Sequence, residues 1–123
     1  MAGAEVFLAS PVEWTVRATG TNATVTASKA AAGVGFRQYC FGASISASAA
    51  PAAAAEAQIQ KDSGGVVLDG FMLPPALFSP IVVNYTTHPL ESSDNGDMAL
   101  VIPALGAGVV AVAVLRGTTR NRG

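Results

Sequence analysis

Side chains with reactive chemistry are few in this chain of 123 residues. Cys40 and His88 are its sole thiol and imidazole. A Cys–His nucleophile needs the two groups within hydrogen-bonding reach and a third group that orients the base. His88 stands in "TTHPL", at the end of an extended run, and nothing in the sequence supplies the orienting group. Neither residue has the further His, Cys or carboxylate neighbours that a metal site requires. Glu91, Asp94 and Asp97 crowd one segment and could hold a calcium ion in an exposed loop. Their spacing is not that of an EF-hand, however, and "SSDNGD" is itself a turn cluster that needs no metal. "GVG" and "GAG" lack the strand-to-helix setting and the lysine of a phosphate loop. The sequence therefore predicts no enzyme, no cofactor, no metal and no small-molecule substrate.

The bulk properties point the same way. Net charge is −1 and only 12% of residues are charged. No basic surface is available to neutralise phosphates, so no nucleic-acid partner is expected. A chain so poor in charge suits either a small β-domain or a subunit that hides much of its surface in an assembly, and we favour the second. A single cysteine forbids an internal disulfide, so stability must come from packing or self-association. The N-terminus "MAGAEVFLASPVEW" has no basic n-region and carries Glu5 early, unlike a signal peptide. Without one, the triplets at Asn22 and Asn84 read as chance matches to the glycosylation pattern.

The elements that would position these side chains are strands. From Leu100 to Leu115 the chain carries no charge, and Arg116 follows. A membrane helix is one reading of that run, and two strands joined by a glycine turn is the other. "VVAVAVLRG" decides for strands, because Val110, Val112 and Val114 recur at period two with alanines between them. Those valines are expected to face the core, and no membrane partner is expected. "VEWTVRAT" alternates, with Val12, Trp14, Val16 and Ala18 on one side, and "ATVTAS" after the "GTN" turn should complete a hairpin with it. In "GFRQYCFGASISASAA" one face holds Tyr39, Phe41, Ala43, Ile45 and Ala47. The other holds Gln38, Cys40, Gly42, Ser44, Ser46 and Ser48, a surface suited equally to solvent or to a second subunit. "AAPAAAA" reads as a loop with at most one helical turn. "EAQIQKD", "VVLDGFML", "IVVNYTT", "MALVIPA" and "VVAVAVLR" bring the count to about eight short antiparallel strands. This predicts an all-β fold, a single β-sandwich or jelly roll.

The order of segments in "TASKAAAGVGFRQYCFGASISASAAPAAAAEAQIQKDSGGVVLDGFMLPP" and "NGDMALVIPALGAGVVAVAVLRG" resembles small proteins encoded among tailed-phage virion genes. In the closing segment Asn95, Met98, Ala99, Leu100, Pro103, Ala104, Gly106, Gly108, Val109 and Ala111 carry the resemblance, which spans roughly residues 23 to 118. It implies a jelly-roll capsid decoration (cement) protein, a homotrimer that binds the major capsid protein on the phage head. Residues 1–11 would then be an N-terminal arm, 12–118 the β-sandwich, and 119–123 a basic tail. The consecutive apolar residues Val6, Phe7 and Leu8 need a partner surface. With Ser44, Ser46, Ser48, Arg120 and Arg122 they make up the candidate capsid or subunit contacts. The rival reading on the same fold is a head-fibre or tail module that recognises host-surface carbohydrate, with Trp14, Tyr39, Phe71 and Tyr85 as candidate sugar platforms. A third, a membrane-anchored small protein, would partition into detergent.

Overall fold

The structure, a computed structural model, describes residues 12–75 and 79–121. These residues form nine strands and no helix: β1 (Val12–Thr21), β2 (Val25–Lys29), β3 (Phe36–Ala47), β4 (Ala55–Lys61), β5 (Val66–Leu73), β6 (Ile81–Asn84), β7 (Leu90–Glu91), β8 (Met98–Ile102) and β9 (Val110–Asn121). They build two antiparallel sheets, ordered β1-β9-β3-β6 with β7 also pairing β3, and β2-β8-β4-β5. The fold is a β-sandwich of jelly-roll type, as the alternation and turn spacing predict. The uncharged run near the C-terminus is indeed two strands. They lie in opposite sheets and are joined by a turn in which the Val109 N–H donates to the Gly106 carbonyl at 3.1 Å. No helix among the described residues is long and apolar enough to cross a membrane.

The first expected hairpin does not form. β1 pairs with β9, from Val12↔Thr119 to Thr21↔Val110, whereas β2 pairs with β8 in the other sheet. Between them Asn22 adopts a positive φ of 46°, and its N–H donates to the Val109 carbonyl at 3.0 Å as the chain changes sheet. The cause is burial. Trp14 on β1 and Val25 and Ala27 on β2 are all buried, and opposing sheets cover both faces at once. A flat hairpin would leave that apolar side still needing a layer.

The valines of β9 face outward, opposite to expectation. Ala111, Ala113 and Leu115 are buried, while Val110, Val112 and Val114 are half-buried on the outer surface. Large side chains from the other sheet, Ile59, Met98, Leu100 and Ile102, are fully buried in the core between the sheets. Dense packing between sheets then favours small residues opposite them, and the alanines are the residues that fit.

β3 changes face midway. Its pairing with β9 shifts register between Cys40 and Gly42, so Phe41 is the extra residue of a β-bulge. Before the bulge Gln38 and Cys40 point inward; after it Ala43 and Ile45 do. Cys40 and Gln38 therefore belong to the core and not to the serine face. The "AAPAAAA" segment is a loop without a helical turn. It is tied to the β8–β9 crossing by the Ala52 N–H, which donates to the Leu105 carbonyl at 2.7 Å. Gly106 beside it needs to be glycine: its φ is +130°, and a Cβ there would stand 2.8 Å from the Ala52 methyl.

One end of the sandwich is fastened by a buried polar side chain. Gln38 is fully buried and its amide is satisfied on both sides. Nε2 donates to the Ala30 carbonyl at 2.9 Å, and the Thr119 hydroxyl donates to Oε1 at 2.6 Å. The Gln38 N–H donates to Ser92 Oγ at 2.9 Å. Strands β3 and β9 and the loops after β2 and β7 are thereby held together.

Candidate functional site

Sequence reading placed the contact surface on the serines of β3, and the structure puts Ser44 and Ser46 on the outer face of the β1-β9-β3-β6 sheet. The register aligns Arg17, Val114, Ser44 and Val82 in one row, and Thr19, Val112 and Ser46 in the next. Val82 is 69% exposed. Arg17, on the edge strand, is the one charge in these rows, so they form a nearly uncharged stripe of valine, serine and threonine, with the sheet's other charges beyond it. Ser48 lies just past β3 and is exposed; its hydroxyl oxygen accepts the Val110 N–H at 2.9 Å. The opposite sheet differs. There Gln60 donates to Gln58 at 2.9 Å and Gln58 donates to Glu56 at 3.0 Å, a polar ladder.

Arg120 is not part of a loose tail, because β9 continues to Asn121 and pairs Arg37↔Arg120. Its guanidinium lies over two rings, 4.8 Å from the Tyr39 centroid and 5.3 Å from the Phe41 centroid. Its Nε donates to the Thr118 hydroxyl at 3.2 Å. Beside it Arg37 pairs with Glu91 at 2.9 Å, and Tyr39 donates its hydroxyl to the same carboxylate at 3.2 Å. This end of the outer face is a cation–aromatic patch, worth about 0.5–1 kcal/mol where exposed. Val6, Phe7, Leu8 and Arg122 lie outside the described residues.

Most of the remaining reactive groups have structural partners. Cys40 is enclosed in the core and its thiol hydrogen-bonds the Gly42 carbonyl at 3.4 Å, not an imidazole. Burial pushes its pKa up to about 11, against smaller opposing effects from that hydrogen bond and from Arg116, so the thiol is neutral near pH 7. His88 is exposed in the loop after β6. Asp94 accepts the Gly35 N–H at 2.9 Å. Asp97 accepts both the N–H and the hydroxyl of Ser63, at 2.6 and 3.2 Å. The carboxylates of the "SSDNGD" segment thus bind neighbouring loops. Tyr85 donates to Asp69; burial first, then that carboxylate, raises the phenol's pKa.

A depression of about 300 Å³ opens at the β3 bulge. Four separate strands and the loop after β6 contribute to it: Glu13 and Trp14 from β1, Phe41 and Gly42 from β3, Asn84 and Thr86 from β6 and beyond, and Arg116 and Gly117 from β9. Gly42 leaves the space that the Arg116 side chain crosses, for a Cβ at 42 would lie 3.2 Å from Arg116 Nη2. Gly117 lets the β1 indole lie against the backbone, since a Cβ there would stand 2.7 Å from Trp14 Cζ2. Sequence reading missed this site. Its residues are far apart in the chain and are joined only by the β1-β9-β3-β6 order and by a bulge that no local pattern announces. The four aromatics proposed as sugar platforms do not share one groove: Trp14 is 9% exposed, Tyr39 lies under Arg120, and Tyr85 is bonded to Asp69.

No family profile matches the chain, and no curated protein matches it. Solved structures with a similar strand arrangement do exist. A CBM36 domain of a multidomain xylanase from the hindgut metagenome of Trinervitermes trinervoides has 10% identity and a TM-score of 0.44, over 85% of this chain and 95% of that one. A subunit from Bacillus endospore appendages, a family of disulfide-linked pili, has 11% identity and a TM-score of 0.47, over 90% and 92%. The major capsid protein P2 of bacteriophage PM2 has 12% identity and a TM-score of 0.40, over 91% of this chain and 45% of that one. These describe what the chain is similar to in architecture, and no function is taken from them.

Proposed function

We propose that this chain is a structural virion protein, a capsid decoration protein that self-associates and binds the major capsid protein lattice on the phage head. The observation that carries the reading is the pair of rows Arg17–Val114–Ser44–Val82 and Thr19–Val112–Ser46 on the outer side of the β1-β9-β3-β6 sheet, in which Arg17 is the one charge. Val82, Val112 and Val114 stand beside Ser44 and Ser46 with almost no charge, on a scaffold whose loops are fastened by buried hydrogen bonds. Charge depletion of this kind marks the centre of subunit contacts more than it marks free surface. Such a role needs rigidity and complementary faces, and requires neither a cofactor nor catalysis. About 800 Å² per partner would make an interface of ordinary size.

Analytical ultracentrifugation of the wild type and of a Ser44→Lys/Ser46→Lys variant tests it. The wild type should sediment as a trimer and bind empty capsids; the variant should be a folded monomer. A wild type that stays monomeric at high concentration and ignores capsids removes the proposal. Deleting residues 2–10 should leave the sandwich folded and weaken capsid attachment.

A further inference from the structure

The depression at the β3 bulge has chemistry that a lattice contact does not use. Trp14 lines it; the residue is more than nine-tenths buried, and its indole N–H has no acceptor among the described residues. A buried donor without an acceptor is uncommon, because nearly all such groups are matched. Arg116 is exposed beside it and has no carboxylate partner among the described residues. Asn84 uses its oxygen to accept the Thr86 N–H at 2.9 Å, so its amide NH2 is left to donate outward. The opening therefore has two exposed donor groups, the Arg116 guanidinium and the Asn84 amide, with Phe41 as an apolar side and the Thr86 hydroxyl as a group of either sense, while the indole N–H lies enclosed beside it. Glu13 stands at the same opening and carries the only negative charge there.

We propose that this depression binds a small hydroxylated carboxylate of monosaccharide size, the chemistry of an acidic sugar. The carboxylate takes the Arg116 guanidinium, where a charge-assisted, bidentate bond is available. The bound ring lies beside the Trp14 indole, whose enclosed N–H senses it. The ring's hydroxyls meet Asn84 and Thr86, and its apolar face meets Phe41. A volume near 300 Å³ is at the small end for ligand pockets and suits one sugar unit. Glu13's negative charge at the same opening repels the ligand's carboxylate, so it weakens binding. The inference stands on this geometry and does not depend on whether the chain decorates a capsid.

Trp14 is the only tryptophan, so its indole N–H resonance reports on this site alone. The full chain is titrated at pH 7 with glucuronate, with glucose and with acetate, in the wild type, Arg116→Gln and Glu13→Gln; both substituted residues are exposed. Glucuronate should shift the resonance saturably, with a Kd on the order of 1 mM. Arg116→Gln should weaken it about tenfold or more, and Glu13→Gln should tighten it about threefold. Glucose and acetate should each bind at least about tenfold more weakly than glucuronate. A flat titration with glucuronate overturns the proposal. So does acetate or glucose binding as well as glucuronate, since the ring or the charge would then contribute nothing. Equal affinity in wild type and Arg116→Gln overturns it as well.

Discussion

Replacing Gly117 with alanine should be among the most damaging single-methyl changes possible in this protein. Gly117 lies opposite Trp14 on one side and Cys40 on the other, in the middle of a three-strand ladder. A Cβ there would collide with the Tyr39 carbonyl oxygen of β3 and with Trp14 Cζ2. The first obstacle is backbone held by ladder hydrogen bonds, so it cannot turn aside as a long side chain would. The second is a buried ring whose neighbours fill the core. Overpacking of this kind typically costs about 1–3 kcal/mol, and two rigid obstacles place Gly117→Ala near or above the top of that range. Against a total stability of about 5–15 kcal/mol, that loss should lower the midpoint of thermal unfolding by roughly 10 °C. Denaturant melts followed by far-UV circular dichroism measure it. A double-mutant cycle with Trp14→Leu separates the two obstacles. The ring contribution should disappear in the pair, while the carbonyl contribution remains. A loss below about 1 kcal/mol in Gly117→Ala would refute the claim that these three strands approach so closely.

Three further outcomes are expected. Val112→Lys should leave the sandwich folded, with a stability change within about 1 kcal/mol, whereas Ala113→Lys should unfold it, since a lysine there would be buried without a partner; circular dichroism of the two variants decides. Gln38→Leu should cost about 2–3 kcal/mol, because the Ala30 carbonyl and the Thr119 hydroxyl lose their partner, and hydrogen exchange should quicken in the loop after β2. The Cys40 thiol, raised by burial to about 11 from its ordinary value of 9.0, holds its proton more tightly folded than unfolded. Its contribution is therefore fully present below pH 9.0 and is lost as pH rises towards 11, on the order of 2 kcal/mol; Cys40→Ala should flatten that part of the pH–stability curve.

Much of the architecture was legible in the residues alone, because strand existence depends on local contrasts. The alternation of Val12 to Thr19, the turn residues of "GTN" and "SSDNGD", and the β-branched run after Gly108 are short-range signals, and each marks an element found in the fold. Which face of a strand is buried is legible only where the two faces differ in polarity, as on β1, where Glu13, Thr15 and Arg17 oppose Trp14. On β9 both faces are apolar. The valine face is the more hydrophobic by itself, yet Ala111, Ala113 and Leu115 are the buried ones, packed in one core with Ile59, Leu100 and Ile102. On β3 the bulge at Phe41 reverses the phase of the alternation, so Cys40 enters the core although it shares a sequence parity with Ser44 and Ser46. The depression between Trp14 and Arg116 follows from strand order. Local sequence carries the propensity of each strand, but its partner is chosen by competition among all strands to bury apolar surface. In that competition β9, twelve residues long, paired with both β1 and β3 and so set the face of each.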